Sequence, residues 1–161
     1  MVRINFRGNR GFTLLEVLIA LAILSVGLLA LAQMQIAAIN GNLSASKMTI
    51  ATTLAQDKIE ELKGLDYDDA QLADTNPFNN DNMTDPSLPS FHPPDHEDSN
   101  NPIDESGGIT GLRRYTRIWN IADNTPTSGV KTVVVIVFWG DINPATNLPR
   151  HRVIVPTIIG D

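Results

Sequence analysis

The chain has 161 residues and a formal net charge of −6, with 12 basic and 18 acidic side chains. Three arginines and no acid precede Phe12, so the chain from Phe12 onward has 9 basic and 18 acidic residues, a charge of −9. So acidic a chain argues against nucleic acid as a partner, because neutralising phosphates takes clustered lysine and arginine. The chain has no cysteine, which excludes disulfides, thiol chemistry and cysteine-based metal sites.

The first predicted element is an apolar run of 21 residues, from Phe12 to Ala32, behind a short leader that carries the three arginines. About 20 apolar residues suffice to cross the hydrocarbon of a bilayer as a helix. Basic residues on the N-terminal side predict a cytoplasmic N-terminus, with the larger polar portion outside the cytoplasm. Four residues interrupt the apolar run: Thr13, Glu16, Ser25 and Gly27.

Glu16 is the unusual residue of this run. A charged side chain inside a membrane helix costs ~2.5–3.5 kcal/mol on insertion scales, so it points to a function and requires a partner. No lysine or arginine lies between Gly11 and Ser46. Cleavage between Gly11 and Phe12 would create an α-amino group one helical turn before Glu16, on the same subunit or on a neighbour. The residues themselves therefore suggest a processed N-terminus as the missing cation.

The segment Gly11-Phe12-Thr13-Leu14-Leu15-Glu16-Val17, behind a leader with Arg3, Arg7 and Arg10, resembles the class III signal of type IV pilins and type II secretion pseudopilins. The resemblance implies that a prepilin peptidase cuts after Gly11 and methylates Phe12. It also implies that Glu16 pairs with the N-terminal amine of an adjacent subunit in a filament. The expected protein is thus a structural subunit and not an enzyme.

The same resemblance implies a location and partners. We expect a single-pass protein of the inner membrane, with its head in the periplasm before assembly and in a pilus filament at the cell surface afterwards. Its partners would be other pilin subunits, through the N-terminal helix, the prepilin peptidase, and the pilus assembly platform in the inner membrane.

Two alternatives remain open. The leader and apolar run also fit a secretory signal peptide cut after Ala30-Leu31-Ala32, which would leave Gln33 as the first residue. Against this, the apolar region is longer than the ~7–15 residues of an ordinary signal and contains a glutamate. The second alternative is a membrane-anchored or secreted binding protein that uses an acidic loop as its ligand site.

One helix is predicted from Phe12 to Lys63, about 78 Å long at ~1.5 Å per residue. Its membrane part is 12–32, and beyond it the apolar residues narrow to a single stripe that should lie against a head domain. Gly64 is the expected C-cap. The stripe comprises Ile36, Ile39, Leu43, Ile50 and Leu54.

The region 64–111 differs from the helix in composition and charge. It contains eleven acidic residues and six prolines but no lysine or arginine, which predicts a loop or a partly disordered excursion. Asp95, His96 and Asp98 are candidate ligands there for calcium or a transition metal. The alternative, a solvated acidic loop without a metal, is favoured because the spacing matches neither an EF-hand loop nor a zinc motif. No other cofactor is expected.

Three strands are predicted after this region, at 112–121, 130–139 and 152–159. The middle run is almost continuously β-branched and aromatic, as expected of a central strand buried on both faces. Pro156 suggests that the last strand lies at an edge. Short turns at 124–129 and 141–147 favour an antiparallel meander with one face against the helix, and both tryptophans should be core residues.

The prediction is therefore an α+β, pilin-like fold: a cleaved leader at 1–11, a long helix at 12–63, the loop region 64–111, and a small antiparallel sheet at 112–161. The helix end 54–62 and the strands 133–139 and 152–159 resemble PilV-type minor pilins, and also the minor pseudopilin I of type II secretion. This implies a minor pilin active in filament assembly or initiation, with a minor pseudopilin as the alternative.

Overall fold

The computed structural model describes residues 12–85 and 93–160, so Gly11 and the rest of the leader lie outside the described residues. The chain divides into two units, Met1–Ser44 and Ala45–Asp161, which are described separately. The four strands form one antiparallel sheet in the order β1-β2-β3-β4. The elements are α1 (Leu14–Lys63), two 3-10 helices (Ala70–Leu72 and Pro77–Asn82), β1 (His96–Glu97), β2 (Tyr115–Asp123), β3 (Val130–Asn143) and β4 (Leu148–Gly160).

Helix α1 begins at Leu14 because Thr13 caps it. The backbone N–H of Glu16 donates to Thr13 Oγ1 at 3.2 Å, which satisfies one of the free donors of the first turn. The helix therefore begins two residues later than predicted. At the other end, the N–H of Gly64 donates to the carbonyls of Glu60 and Glu61 at 3.2 and 3.1 Å, and the last helical residue is Lys63.

The predicted antiparallel meander is confirmed. Strand β3 lies between β2 and β4 and is buried on both faces from Val133 to Trp139, while β4, with Pro156, lies at the edge of the sheet. Strand β3 continues to Asn143, past a register shift between Trp139 and Ile142, so the predicted turn at 141–147 is shorter than expected.

One face of the sheet packs on the last turns of α1. Leu54 and Leu62 are the largest fully buried side chains of the helix, and both tryptophans lie in this core as predicted, Trp119 at 3% and Trp139 at 8% exposure. The remaining buried members of the cluster are Ala51, Ala55, Ile59, Leu72, Ile103, Tyr115, Ile121, Val133, Val135, Val137 and Ile159.

The other face of the sheet is covered by part of the acidic region. Met83, at the end of the second 3-10 helix, packs against Ile118, Val134, Ile136 and Phe138. Strand β1 pairs with β2, opposite Ile118 and Trp119. The described part of 64–111 is mostly loop, but it also contains two 3-10 helices and a strand, and it contributes to a second core cluster.

Candidate assembly site

The first part of α1 exposes an uninterrupted apolar surface. Every residue from 12 to 49 is exposed, and large side chains such as Leu14 (86%), Ile23 (70%) and Val26 (68%) have no covering neighbour among the described residues. By length and composition the helix could cross a membrane: its most apolar 18-residue window has a mean hydropathy of 2.7 and none of it is buried. Such a surface requires lipid or other helices around it.

Glu16 lies at the start of this surface, in the first turn of the helix. Its backbone N–H donates a hydrogen bond to the hydroxyl of Thr13, and Thr13-x-x-Glu16 is the sequence pattern of a capping box. Within residues 12–85 and 93–160, the Glu16 carboxylate has neither a hydrogen bond nor a salt bridge. The structure thus leaves the carboxylate available to a partner. Sequence reasoning missed the cap, although the Thr-x-x-Glu spacing would have revealed it.

Phe12 and Glu16 lie on one side of the helix start. Phe12 precedes the cap and is 84% exposed. Together with Ala20 and Leu24 these residues line a shallow apolar groove, as the four-residue spacing of a helix face requires. The groove offers an apolar wall and one carboxylate, which suits a neighbouring helix that carries a positive group.

The candidate metal ligand Asp95 is occupied by structural hydrogen bonds. Its Oδ1 accepts from the backbone N–H groups of Thr75 and Asn76 at 2.9 and 2.7 Å, and its Oδ2 accepts from the N–H of Ile121 at 2.8 Å. Asp95 therefore joins the segment before the second 3-10 helix to strand β2. These partners lie 19 to 26 residues away along the chain. No short sequence motif could therefore have revealed them.

The other two candidate ligands face different partners. His96 Nε2 lies 2.8 Å from the carbonyl of Ala73, and its ring stacks on Trp119. Asp98 forms a salt bridge with Arg117 at 2.7 Å, and Arg117 also donates to the carbonyl of Leu54 at 2.9 Å. In the part of the chain that the structure describes, no three His, Asp or Glu side chains are grouped to hold a metal ion.

A buried carboxylate that the sequence reading overlooked organises the loop before β2. Asp104 is 4% exposed and accepts hydrogen bonds from the hydroxyl of Ser106 at 2.7 Å and from the N–H groups of Ser106, Gly108 and Gly111 at 2.7–2.9 Å. The Ser106 hydroxyl and then the Gly111 N–H hold the pKa of Asp104 well below its usual range. Tyr115 lies nearby, and the pKa of its phenol is raised mainly by burial.

The comparison with protein families bears on the N-terminal segment. The family model described as the prokaryotic N-terminal methylation motif matches residues 6–32. This match includes Gly11, Phe12 and Glu16 and covers the whole apolar run. No curated protein and no solved structure is found to match the chain. In its methylation motif, its apolar helix and its α+β architecture the chain is similar to type IV pilins and pseudopilins, and the motif implies processing by a prepilin peptidase and assembly with other pilins.

Proposed function

We propose that this protein is a minor pilin of the PilV type, a structural subunit of a type IV pilus that acts in filament assembly or initiation. In this proposal the prepilin peptidase cuts after Gly11 and methylates the new N-terminal Phe12. The methylation motif over residues 6–32 supports the processing step. The exposed apolar surface of residues 12–49 supports a helix that passes from the membrane into a bundle of similar helices.

The observation that carries the proposal is the unpartnered carboxylate of Glu16 on an apolar helix. A charged residue there costs ~2.5–3.5 kcal/mol to insert, and a charge-assisted hydrogen bond contributes roughly 1.5–3 kcal/mol. A neighbour's N-terminal amine would offset most of the insertion cost. Unassembled subunits would then be less favourable in the membrane than assembled ones, which favours incorporation into the filament.

The charge distribution supports an orientation for the subunit. Arg3, Arg7 and Arg10 lie before the span and no acid does, whereas the chain beyond Phe12 is strongly acidic. By the positive-inside rule the leader lies in the cytoplasm and the head in the periplasm. The inner-membrane assembly platform would draw the subunit from there into a filament at the cell surface.

A minor pseudopilin of a type II secretion system is the second candidate, because pseudopilins use the same methylation signal and the same apolar helix. The test is deletion of the gene in its host, with surface filaments and secreted proteins quantified in parallel. The proposal expects fewer filaments with secretion intact. Loss of secretion with normal filaments would assign the chain to the pseudopilus, and a change in neither would favour a membrane-anchored or secreted binding protein.

A further inference from the structure

Basic side chains without an ion pair gather at one place in the head. Beyond the leader the chain has nine basic residues. Salt bridges among the described residues occupy four of them: Lys58, Arg117, Lys131 and Arg152. Three of the other five line one surface cavity of about 430 Å³: Lys47, Arg113 and Arg114. In so acidic a chain, three cations that converge without a carboxylate partner suggest a site for an anion.

Several segments of the head contribute to this cavity. Lys47 comes from α1, and Arg113 and Arg114 come from the loop before β2. Tyr115, the first residue of β2, also lines the cavity and lies opposite Trp139 of β3. The pairing of the two strands therefore fixes the positions of both aromatic residues.

The two aromatic residues bring buried donors without a partner to the cavity. Tyr115 is 1% exposed and Trp139 is 8% exposed. Among the described residues, neither the hydroxyl of Tyr115 nor the indole N–H of Trp139 has a hydrogen-bond partner. The indole N–H of Trp119, by contrast, donates to the carbonyl of Gln71 at 3.0 Å. Buried polar groups in folded proteins nearly always have a partner, so an acceptor in the cavity, water or a ligand, is required.

The arginines and the phenol are prepared to donate. The guanidinium of Arg113 is oriented by the backbone of 100–102, because its Nε and Nη2 each donate to a carbonyl there at 2.6 Å. Arginine has five N–H donors, so three remain for a ligand. Burial and then the charge of Glu105 raise the pKa of Tyr115, whereas the charge of Arg114 lowers it. The phenol thus stays protonated, and Arg114 lies near enough to act on it.

We propose that this cavity binds the phosphate monoester group of a small soluble molecule. Its lining carries three positive charges and one negative charge, that of Asp141, which forms no salt bridge with any described residue. The resulting charge of +2 matches a phosphate monoester, which carries about −1.5 to −2 at pH 7 and has three strong acceptor oxygens. Arginine also pairs bidentately with phosphate. A single carboxylate has one charge and would leave part of the positive charge uncompensated.

The rest of the cavity fits the organic part of such a ligand. A volume of about 430 Å³ lies within the ~300–1,000 Å³ range of small-molecule sites, so the cavity has room for more than a bare phosphate. Apolar surface in the lining comes from Pro102, Ile142 and Pro149. The ligand class is therefore a phosphorylated small molecule. A lipid headgroup presents the same phosphate chemistry, so the test separates the two sources.

The test titrates the full chain, in micelles of a non-ionic detergent and at low ionic strength, with glycerol 3-phosphate by calorimetry. We expect saturable binding with a Kd of roughly 0.1–1 mM, which the usual ligand efficiency of a molecule of about ten heavy atoms permits. Malonate, a dicarboxylate, and inorganic phosphate should both bind more weakly. Phosphatidate added to the micelles should not displace glycerol 3-phosphate, and displacement would overturn the soluble source and assign the site to a lipid headgroup.

Two variants connect the binding to this cavity. Lys47→Gln should raise the Kd about tenfold, the value for a lost hydrogen bond to a charged group. Lys63→Gln is the matched control, because it removes the same charge from an exposed position of the same helix outside the cavity and should leave the Kd unchanged. Tyr115→Phe removes only the hydroxyl without a partner, so the unfolding temperature should be retained while the Kd rises.

Three results would overturn the proposal. The first is no saturable binding of glycerol 3-phosphate by the wild-type chain up to about 20 mM, well above the expected Kd. The second is equal affinity of the Lys47→Gln and Lys63→Gln chains, and the third is malonate binding as tightly as glycerol 3-phosphate. None of these measurements depends on the proposed role in a filament.

Discussion

Replacing Glu16 with glutamine tests the role of its negative charge. Glutamine can occupy the last position of a capping box, as glutamate does, so the helix start at Thr13 is preserved. The substitution removes only the negative charge. If Glu16 pairs with the N-terminal amine of a neighbouring subunit, the variant should enter the membrane and be processed normally but should fail to be incorporated efficiently.

The expected size of the effect follows from the lost interaction. A hydrogen bond to a charged group contributes about 1.5–3 kcal/mol, which corresponds to a roughly 10- to 150-fold change in an equilibrium constant. Membrane insertion should change in the opposite direction, since the ~2.5–3.5 kcal/mol cost of the charge is removed. A smaller amount of assembled subunit with an equal or larger membrane pool is therefore the diagnostic combination.

The assay compares sheared filaments with the membrane fraction by quantitative immunoblotting, with the mature N-terminus verified by mass spectrometry. Glu60→Gln is the matched control, because Glu60 is an exposed acid on the same helix outside the apolar run. We expect the Glu60 variant to be incorporated like the wild type. Wild-type incorporation of Glu16→Gln would refute the ion-pair reasoning.

Three further predictions concern the head. Arg117→Met leaves Asp98 unpaired beside the core and should lower the free energy of unfolding by about 3–5 kcal/mol in chemical denaturation, and an effect below about 1 kcal/mol would contradict the buried ion pair. The pKa of Asp104 is lowered on folding, so its carboxylate stabilises the fold fully above the ordinary carboxyl pKa of about 3.9, and this stabilisation is lost as the pH falls below that value. Asp104→Asn should therefore flatten the fall in unfolding temperature between about pH 5 and 2. An unchanged slope would contradict a stabilising role for the carboxylate. Gly140→Ala should cost about 1–3 kcal/mol by thermal unfolding, because φ is +94° and the new Cβ would lie 2.9 Å from His151 Cδ2; an unaffected variant would show that this backbone relaxes freely.

The sequence predicted those parts of the fold whose signal is local. The apolar run after Phe12 and the capping glycine after Lys63 indicate a long helix from neighbouring residues alone. The β-branched run of β3 predicts a central strand, and Pro156 predicts the edge position of β4, because proline lacks the donor that an inner strand needs. Each of these patterns reports burial or hydrogen bonding directly, without reference to distant residues.

The contacts that hold the acidic region against the sheet could not be predicted, because they join residues far apart in the chain. Its few apolar side chains suggest too little burial to offset the ordering entropy. The structure compensates with polar contacts, since Asp95 binds the backbone near Thr75 and that of Ile121, and Asn120 donates to the carbonyl of Met83. Such pairings cannot be recognised before the topology is known.

For the same reason, the sequence alone places the assembly residues on one helix face but does not show the contacts of the proposed metal ligands. Phe12 and Glu16 are four residues apart, so their shared helix face follows from the sequence alone. The proposed metal ligands Asp95, His96 and Asp98 are also close in sequence, but the contacts that orient them come from residues far away along the chain. Each one instead contacts a different part of the head.

The mature N-terminus tests the central claim most directly. Intact mass and terminal sequencing of the chain purified from membranes would identify the first residue and any added methyl group. The account predicts N-methylated Phe12, with the leader through Gly11 removed. A chain that begins at Gln33, or that still carries its leader in the presence of an active prepilin peptidase, would contradict the account.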